Sequence, residues 1–185
     1  MSEPVELPAG LLEAVAAPAP SPGGGSVAAV VVALAASLVA KAGRLSGDEW
    51  QQAGGAIAQA EALRARVAPL AEADAVAYER ALDALRTRDA MLGPALSRAA
   101  EVPLLIAEAA VDVATLAQVV AEEGDADVRG DAVTAAILAD AGARVACHLV
   151  EINLGALPDD ERIALARGLC GSAGRAAEAA LAAGA

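Results

Sequence analysis

The residue types that most invite chemistry stand in one segment, Pro22-Gly23-Gly24-Gly25-Ser26-Val27-Ala28-Ala29. Consecutive glycines free the backbone to expose successive amides, and Ser26 is placed to cap the helix that follows. A helix N-terminus presents unpaired N–H groups and partial positive charge, a seat for a carboxylate or a phosphate. The same run also suits a tight loop that lets helices pack closely, and taken alone it does not choose between the two. Asp74 and Tyr78 stand at i and i+4, so they share one helix face, either as part of a site or as a hydrogen-bonded structural pair. Asp131 falls in the first turn of its helix, where an acid is also a routine partner of the helix dipole. His148 is the only histidine and would suit proton transfer near neutral pH. It lies about 100° around the helix from Asp131 and far along the axis, which suits a polar interface or surface position better.

These residues need helices to hold them. A short first helix is expected from Pro8 to Ala17, stopped by Pro18 and Pro20, with a Pro/Gly loop to Gly25. The most apolar helix should run from Ser26 to Leu45. Ser46-Gly47-Asp48-Glu49 reads as an S-x-x-E capping box that starts a long helix to about Arg88, kinked at Pro69. Further helices are expected from Asp89 to Glu123 and from about Val128 to Leu154. The last should open at Leu157-Pro158-Asp159-Asp160, with acids near its positive end.

Composition supports this all-α reading, a bundle of about six helices in one domain spanning residues 1–185. By count, 54 of the 185 residues are alanine, the best helix former, while Phe is absent and Trp50 and Tyr78 are the sole Trp and Tyr. Alanine buries little area, so much apolar surface should be covered by a second copy, in a homodimer or higher homo-oligomer. A net charge of −12, with Lys41 the only lysine, argues against nucleic acid as a partner. It favours a cationic reacting centre over an anionic one. Arg44, Arg64, Arg66, Arg86, Arg88 and Arg98 read mostly as a solvated face. Cys147 and Cys170 lack CxxC spacing and read as reduced, buried thiols. The acidic start, Met1-Ser2-Glu3-Pro4, lacks the basic character of a signal peptide, and the charge-free run Val27–Ala40 reads as too short to span a bilayer. A cytoplasmic protein with no membrane partner is the expectation.

The order of Ser21–Ala29, Asp74-Ala75-Val76-Ala77-Tyr78, Ala100-Glu101-Val102-Pro103-Leu104, Gly130-Asp131-Ala132 and Ile152-Asn153-Leu154 resembles the cyclodeaminase/cyclohydrolase family. That family includes the C-terminal half of formiminotransferase-cyclodeaminase and free-standing methenyltetrahydrofolate cyclohydrolases, and the resemblance covers roughly Leu7 to Asp160. It implies an all-helical dimer, or pair of dimers, acting on a folate substrate without metal or cofactor. A cyclohydrolase lets water open the methenyl bridge of 5,10-methenyltetrahydrofolate to give the 10-formyl compound. A cyclodeaminase closes the bridge from a formimino group and expels ammonia. The resemblance assigns catalysis to Asp131 and Asp74, and substrate binding to Gly23, Gly24, Gly25, Ser26, Tyr78 and Asn153. No formiminotransferase-like segment occurs in the 185 residues, which tilts the expectation toward the cyclohydrolase.

The chain departs from the family pattern at Gly130, where Ser is usual, at Leu149, where Asn is usual, and at Asp125, also normally Asn. A non-catalytic helical dimer that keeps the fold is the rival these departures raise. Helix geometry adds a constraint of its own. Asp131 and Asn153 lie on nearly the same face but roughly 33 Å apart along a straight helix, at about 1.5 Å per residue. One of them is therefore structural, or the site joins residues of two subunits.

Overall fold

The computed structural model describes residues 8–47, 50–87, 92–155, 157 and 159–183. As the alanine content predicts, the described residues form helices and no strands. In chain order they are α1 (Ala9–Ala16), α2 (Gly24–Ser46), α3 (Ala53–Val67), α4 (Leu70–Thr87), α5 (Leu92–Glu123), α6 (Arg129–Asn153) and α7 (Glu161–Ala183), with a 3₁₀ turn at Ala126–Val128 before α6. Pro69 divides the long helix expected after residue 50 into α3 and α4, because proline removes a backbone donor and crowds the preceding turn. Pro103 by contrast is carried inside α5, where it is fully buried.

Ser46 does not open the long helix expected after it. That residue ends α2, because Gly47 follows in the left-handed region (φ 59°), a conformation that stops a helix and favours glycine. The Ser46 hydroxyl turns back to donate to the Ala42 carbonyl at 3.0 Å and accepts the Asp125 amide at 3.0 Å. It thereby pins the α5–α6 connection to the end of α2. Asp48 and Glu49 lie outside the described residues.

The core lies where α2, α5 and α6 pack together, with α3 and α4 on one side and α7 on the other. It is built mainly of alanine, and its largest fully buried side chains are Ile106, Leu154 and a set of valines. Small side chains let backbones approach, and α2 and α6 run antiparallel at such a distance. Lys41 meets Asp131 at one end of this pair, and Gly24 meets Val145 near the other. Midway, a Cβ on Gly142 would lie 2.5 Å from Val32 Cγ2, well inside contact distance. Gly142→Ala should therefore cost about 1–3 kcal/mol by overpacking. That corresponds to a drop of several degrees in Tm, measurable by calorimetry.

The charge-free run is not, as its length alone suggested, too short to cross a membrane. It sits in a 23-residue helix, and α2, α5 and the segment Ala126–Asn153 are each long and apolar enough for a span by length and composition. Packing uses a large share of that apolarity. In α2 and in α5, 56% of the most hydrophobic window is buried against other helices.

Candidate active site

The glycine run leads into α2, which starts two residues earlier than the sequence suggests. Gly23 is the N-cap, and Gly24, Gly25 and Ser26 form the first turn, so Ser26 lies inside the helix and does not cap it. Its hydroxyl donates to the Ala71 carbonyl at 2.8 Å and lies 3.3 Å from Asp74 Oδ2. Ala71 and Asp74 belong to α4, so Ser26 joins the first turn of α2 to that helix.

Asp74 thus meets the positive end of α2, and the chain supplies its own carboxyl group to the terminus that the sequence offered to a ligand. The backbone amide of Ser26, in that first turn, favours the charged form of this carboxyl. Contact is so close that a Cβ on Gly25 would fall 2.2 Å from Asp74 Oδ1 and 2.4 Å from its carboxyl carbon. Only glycine fits there. Asp74 is 9% exposed, and burial pushes its carboxyl above the usual carboxylate range, opposed by the bonds from Ser26. Donor counting agrees. Ser26 has one hydroxyl hydrogen, which the shorter bond to Ala71 uses, so the 3.3 Å contact is best satisfied when Asp74 carries the proton. Gly25→Ala should displace this carboxyl by an ångström or more and lower turnover by about a hundredfold. Helix content should stay as in the wild type by circular dichroism. Gly24→Ala, which meets only Val145 at 4.0 Å, is the matched control.

Asp74 opens on a cavity of about 260 Å³, walled by Pro20, Ser21, Gly23, Gly24 and Gly25 from the loop and α2, and by Tyr78 from α4. Ala99 of α5 and Leu149, Ile152 and Asn153 of α6 complete it. Asp74 bonds Ser26 and not Tyr78, whose ring is 41% exposed at the cavity edge. Asn153 donates from Nδ2 to the Ala99 carbonyl at 2.9 Å, which fixes the amide and leaves Oδ1 for a ligand. The Ser21 hydroxyl donates to Glu79 and ties the Pro/Gly loop to α4.

The cavity wall has a support that sequence reasoning missed. Arg162 at the start of α7 donates to the Ser97 carbonyl and hydroxyl, each at 2.9 Å, holding the stretch of α5 that carries Ala99. Asp160 grips the same guanidinium at 2.7 Å, and Arg162 lowers the Asp160 carboxyl to about 2. Leu149, marked in the sequence only as a departure from the family pattern, and Ile152, beside Asn153 in the family motif, both stand in the cavity wall. The spacing from Leu149 to Asn153, one helical turn, was the available signal.

Of the residues singled out in the sequence, Gly23, Gly24, Gly25, Asp74, Tyr78 and Asn153 line one cavity, and Ser26 stands behind it on Asp74. Asp131 does not join them. It is at the opposite end of α6, ion-paired with Lys41 of α2 at 2.6 Å and 32% exposed. His148 is exposed on α6 and is not among the cavity residues.

A cavity lined by four helices, with the buried Asp74 carboxyl at the start of one of them, defines an all-α protein with a site sized for a small molecule. Comparison with known proteins gives that class its family. Residues 9–168 match the formiminotransferase-cyclodeaminase family, and the chain belongs to it. It is 31% identical over 183 residues to the methenyltetrahydrofolate cyclohydrolase of Methylorubrum extorquens, with 88% of each chain covered. The crystal structure of formiminotetrahydrofolate cyclodeaminase from Thermotoga maritima superposes with a TM-score of 0.82 at 26% identity, covering 94% of this chain and 95% of that one. Both named relatives are enzymes acting on tetrahydrofolate derivatives.

Proposed function

We propose that this chain hydrolyses the methenyl bridge of 5,10-methenyltetrahydrofolate to 10-formyltetrahydrofolate. The observation that carries the reading is Asp74, a carboxyl of raised pKa held on the α2 N-terminus and opening into the cavity. A carboxyl group that burial makes readier to hold a proton is suited to both halves of the reaction, since it can take a proton and give it back. As a carboxylate it takes a proton from water while the oxygen adds to the cationic bridge carbon. It then returns that proton to N5 as the N5–carbon bond breaks. The proton of the new hydroxyl leaves to solvent as the formyl carbonyl forms, so one proton is released per turnover. Asn153 Oδ1 and Tyr78 are placed to orient the folate, and neither metal nor cofactor is needed.

The substrate's cationic bridge also calls for a fixed negative charge. Asp131 supplies it if two copies share the site. The outer face of α2 and α6 carries exposed Val27, Leu34 and Leu45 beside exposed Ile137, Val145 and Ile152. The cavity lies at one end of this face and the Lys41–Asp131 pair at the other. A twofold axis through its middle, near Leu34, lays the Lys41–Asp131 end of each copy over the cavity of the other. Asp131 of the partner subunit then reaches the bridge that Asp131 of the same chain cannot. Leu34→Glu should split the assembly to monomers in sedimentation and abolish turnover together with it, since a buried charge pair at the axis is costly.

Absorbance tests the reaction itself, because the methenyl bridge is a chromophore. Incubation of the purified protein with 5,10-methenyltetrahydrofolate should bleach it well above the uncatalysed rate. The structural likeness to a cyclodeaminase favours one other reaction, in which 5-formiminotetrahydrofolate gains the same chromophore as ammonia is released. A gain with the formimino compound and no bleaching with the methenyl compound would replace the proposal by that reading. No change with either folate would leave a non-catalytic protein, with Leu149 in the cavity wall as the first suspect.

A further inference from the structure

Behind the cavity, the seam between α6 and α7 holds the chain's two cysteines. The Cys147 thiol donates to the Ala166 carbonyl at 2.9 Å. In α7 that carbonyl is also the acceptor for the Cys170 amide four residues on, so the Cys147 sulphur sits beside the Cys170 backbone. The Cα–Cβ bond of a helical residue tilts toward the N-terminus, which aims the Cys170 side chain back into the same turn. The two cysteines are therefore placed on facing turns of α6 and α7, joined through the Ala166 carbonyl. The two sulphurs differ in access. Cys147 is 6% exposed, whereas Cys170 is only partly buried and lies near the Arg144 guanidinium.

We propose that Cys147 and Cys170 form an oxidisable dithiol, a modification site for hydroperoxides that closes to an α6–α7 disulfide. Cys170 is the sulphur a peroxide reaches first. Its thiolate attacks one peroxide oxygen, the O–O bond breaks, and a sulfenic acid forms while the other oxygen leaves and takes up a proton as water or alcohol. The Cys147 sulphur then attacks the Cys170 sulphur. Its proton leaves with the departing hydroxide as water, and the disulfide forms. In total the two thiols lose two electrons to the peroxide. Burial pushes the Cys147 thiol up to about 12, which excludes it as the first nucleophile. The bridge would fix the helix that carries Leu149 and Asn153 into the cavity wall. This inference does not depend on the reaction catalysed there.

The test uses the folded wild-type chain and hydrogen peroxide. The expected result is an intact mass lower by two hydrogens and loss of both alkylatable thiols, reversed by dithiothreitol. Tryptic peptides 145–162 and 168–175 should appear joined. In Cys147→Ser, which keeps the bond to Ala166, the Cys170 sulfenic acid should persist and be trapped by a 1,3-dione that leaves wild type unlabelled. The proposal is overturned if wild type retains two alkylatable thiols. It is equally overturned if Cys170 goes on to the sulfinic acid while Cys147 stays free.

Discussion

Asp74→Asn should lower the rate of bridge opening at least about a hundredfold, the range ascribed to one general acid–base group, and at the same time raise Tm at pH 8. The two effects have one cause. Burial raises the Asp74 pKa in the folded state, so the folded chain favours the neutral carboxyl. A raised carboxyl stabilises the fold fully below its unfolded pKa, and that contribution is lost as pH rises through the folded value. Above that point the wild type carries a buried charge, which asparagine does not. Asparagine keeps the shape and can donate to the Ser26 hydroxyl through Nδ2, as the protonated acid would. The gain in Tm over wild type should therefore shrink as pH is lowered toward the ordinary carboxylate range. Calorimetry across pH and a bleaching assay on the same preparations check both halves. A destabilised but active variant would make Asp74 a structural residue.

Asp131→Asn should give the second large effect, a loss of at least about a hundredfold in turnover with an almost unchanged melt, since it removes the charge proposed to face the cationic bridge. The structural alternative predicts the opposite balance. Asp131 lies in the first turn of α6 and pairs with Lys41 across exposed positions. In that role it contributes about 0.3–1 kcal/mol through the helix dipole and little through the surface pair, and turnover would survive its loss.

These expectations show what the sequence could and could not say. The helical bundle was legible because alanine content, prolines and glycines act locally. Pro69 and Gly47 each end a helix at their own position. Cavity residues were legible where their type is unusual for a buried helix, as with Gly23–Gly25, Asp74 and Asn153. Ser46 misled, because a hydroxyl after an apolar helix fits an N-cap motif equally well, and only the packing of the α5–α6 connection decided its bonds. Asp74 as the anion on α2 was hidden too. Nothing local says that two segments 48 residues apart meet at a glycine. The Arg162–Ser97 clamp, spanning 65 residues, was hidden for the same reason.

A site shared between two copies can be tested by subunit complementation. Asp74→Asn and Asp131→Asn chains, each inactive alone, are co-expressed in equal amounts and assayed for bleaching of 5,10-methenyltetrahydrofolate. If each cavity takes Asp74 from one copy and Asp131 from the other, a mixed dimer holds one doubly altered site and one intact site. Half the dimers are mixed, so activity should return to about a quarter of the wild-type value. A mixture no more active than either parent would contradict a site built from two copies.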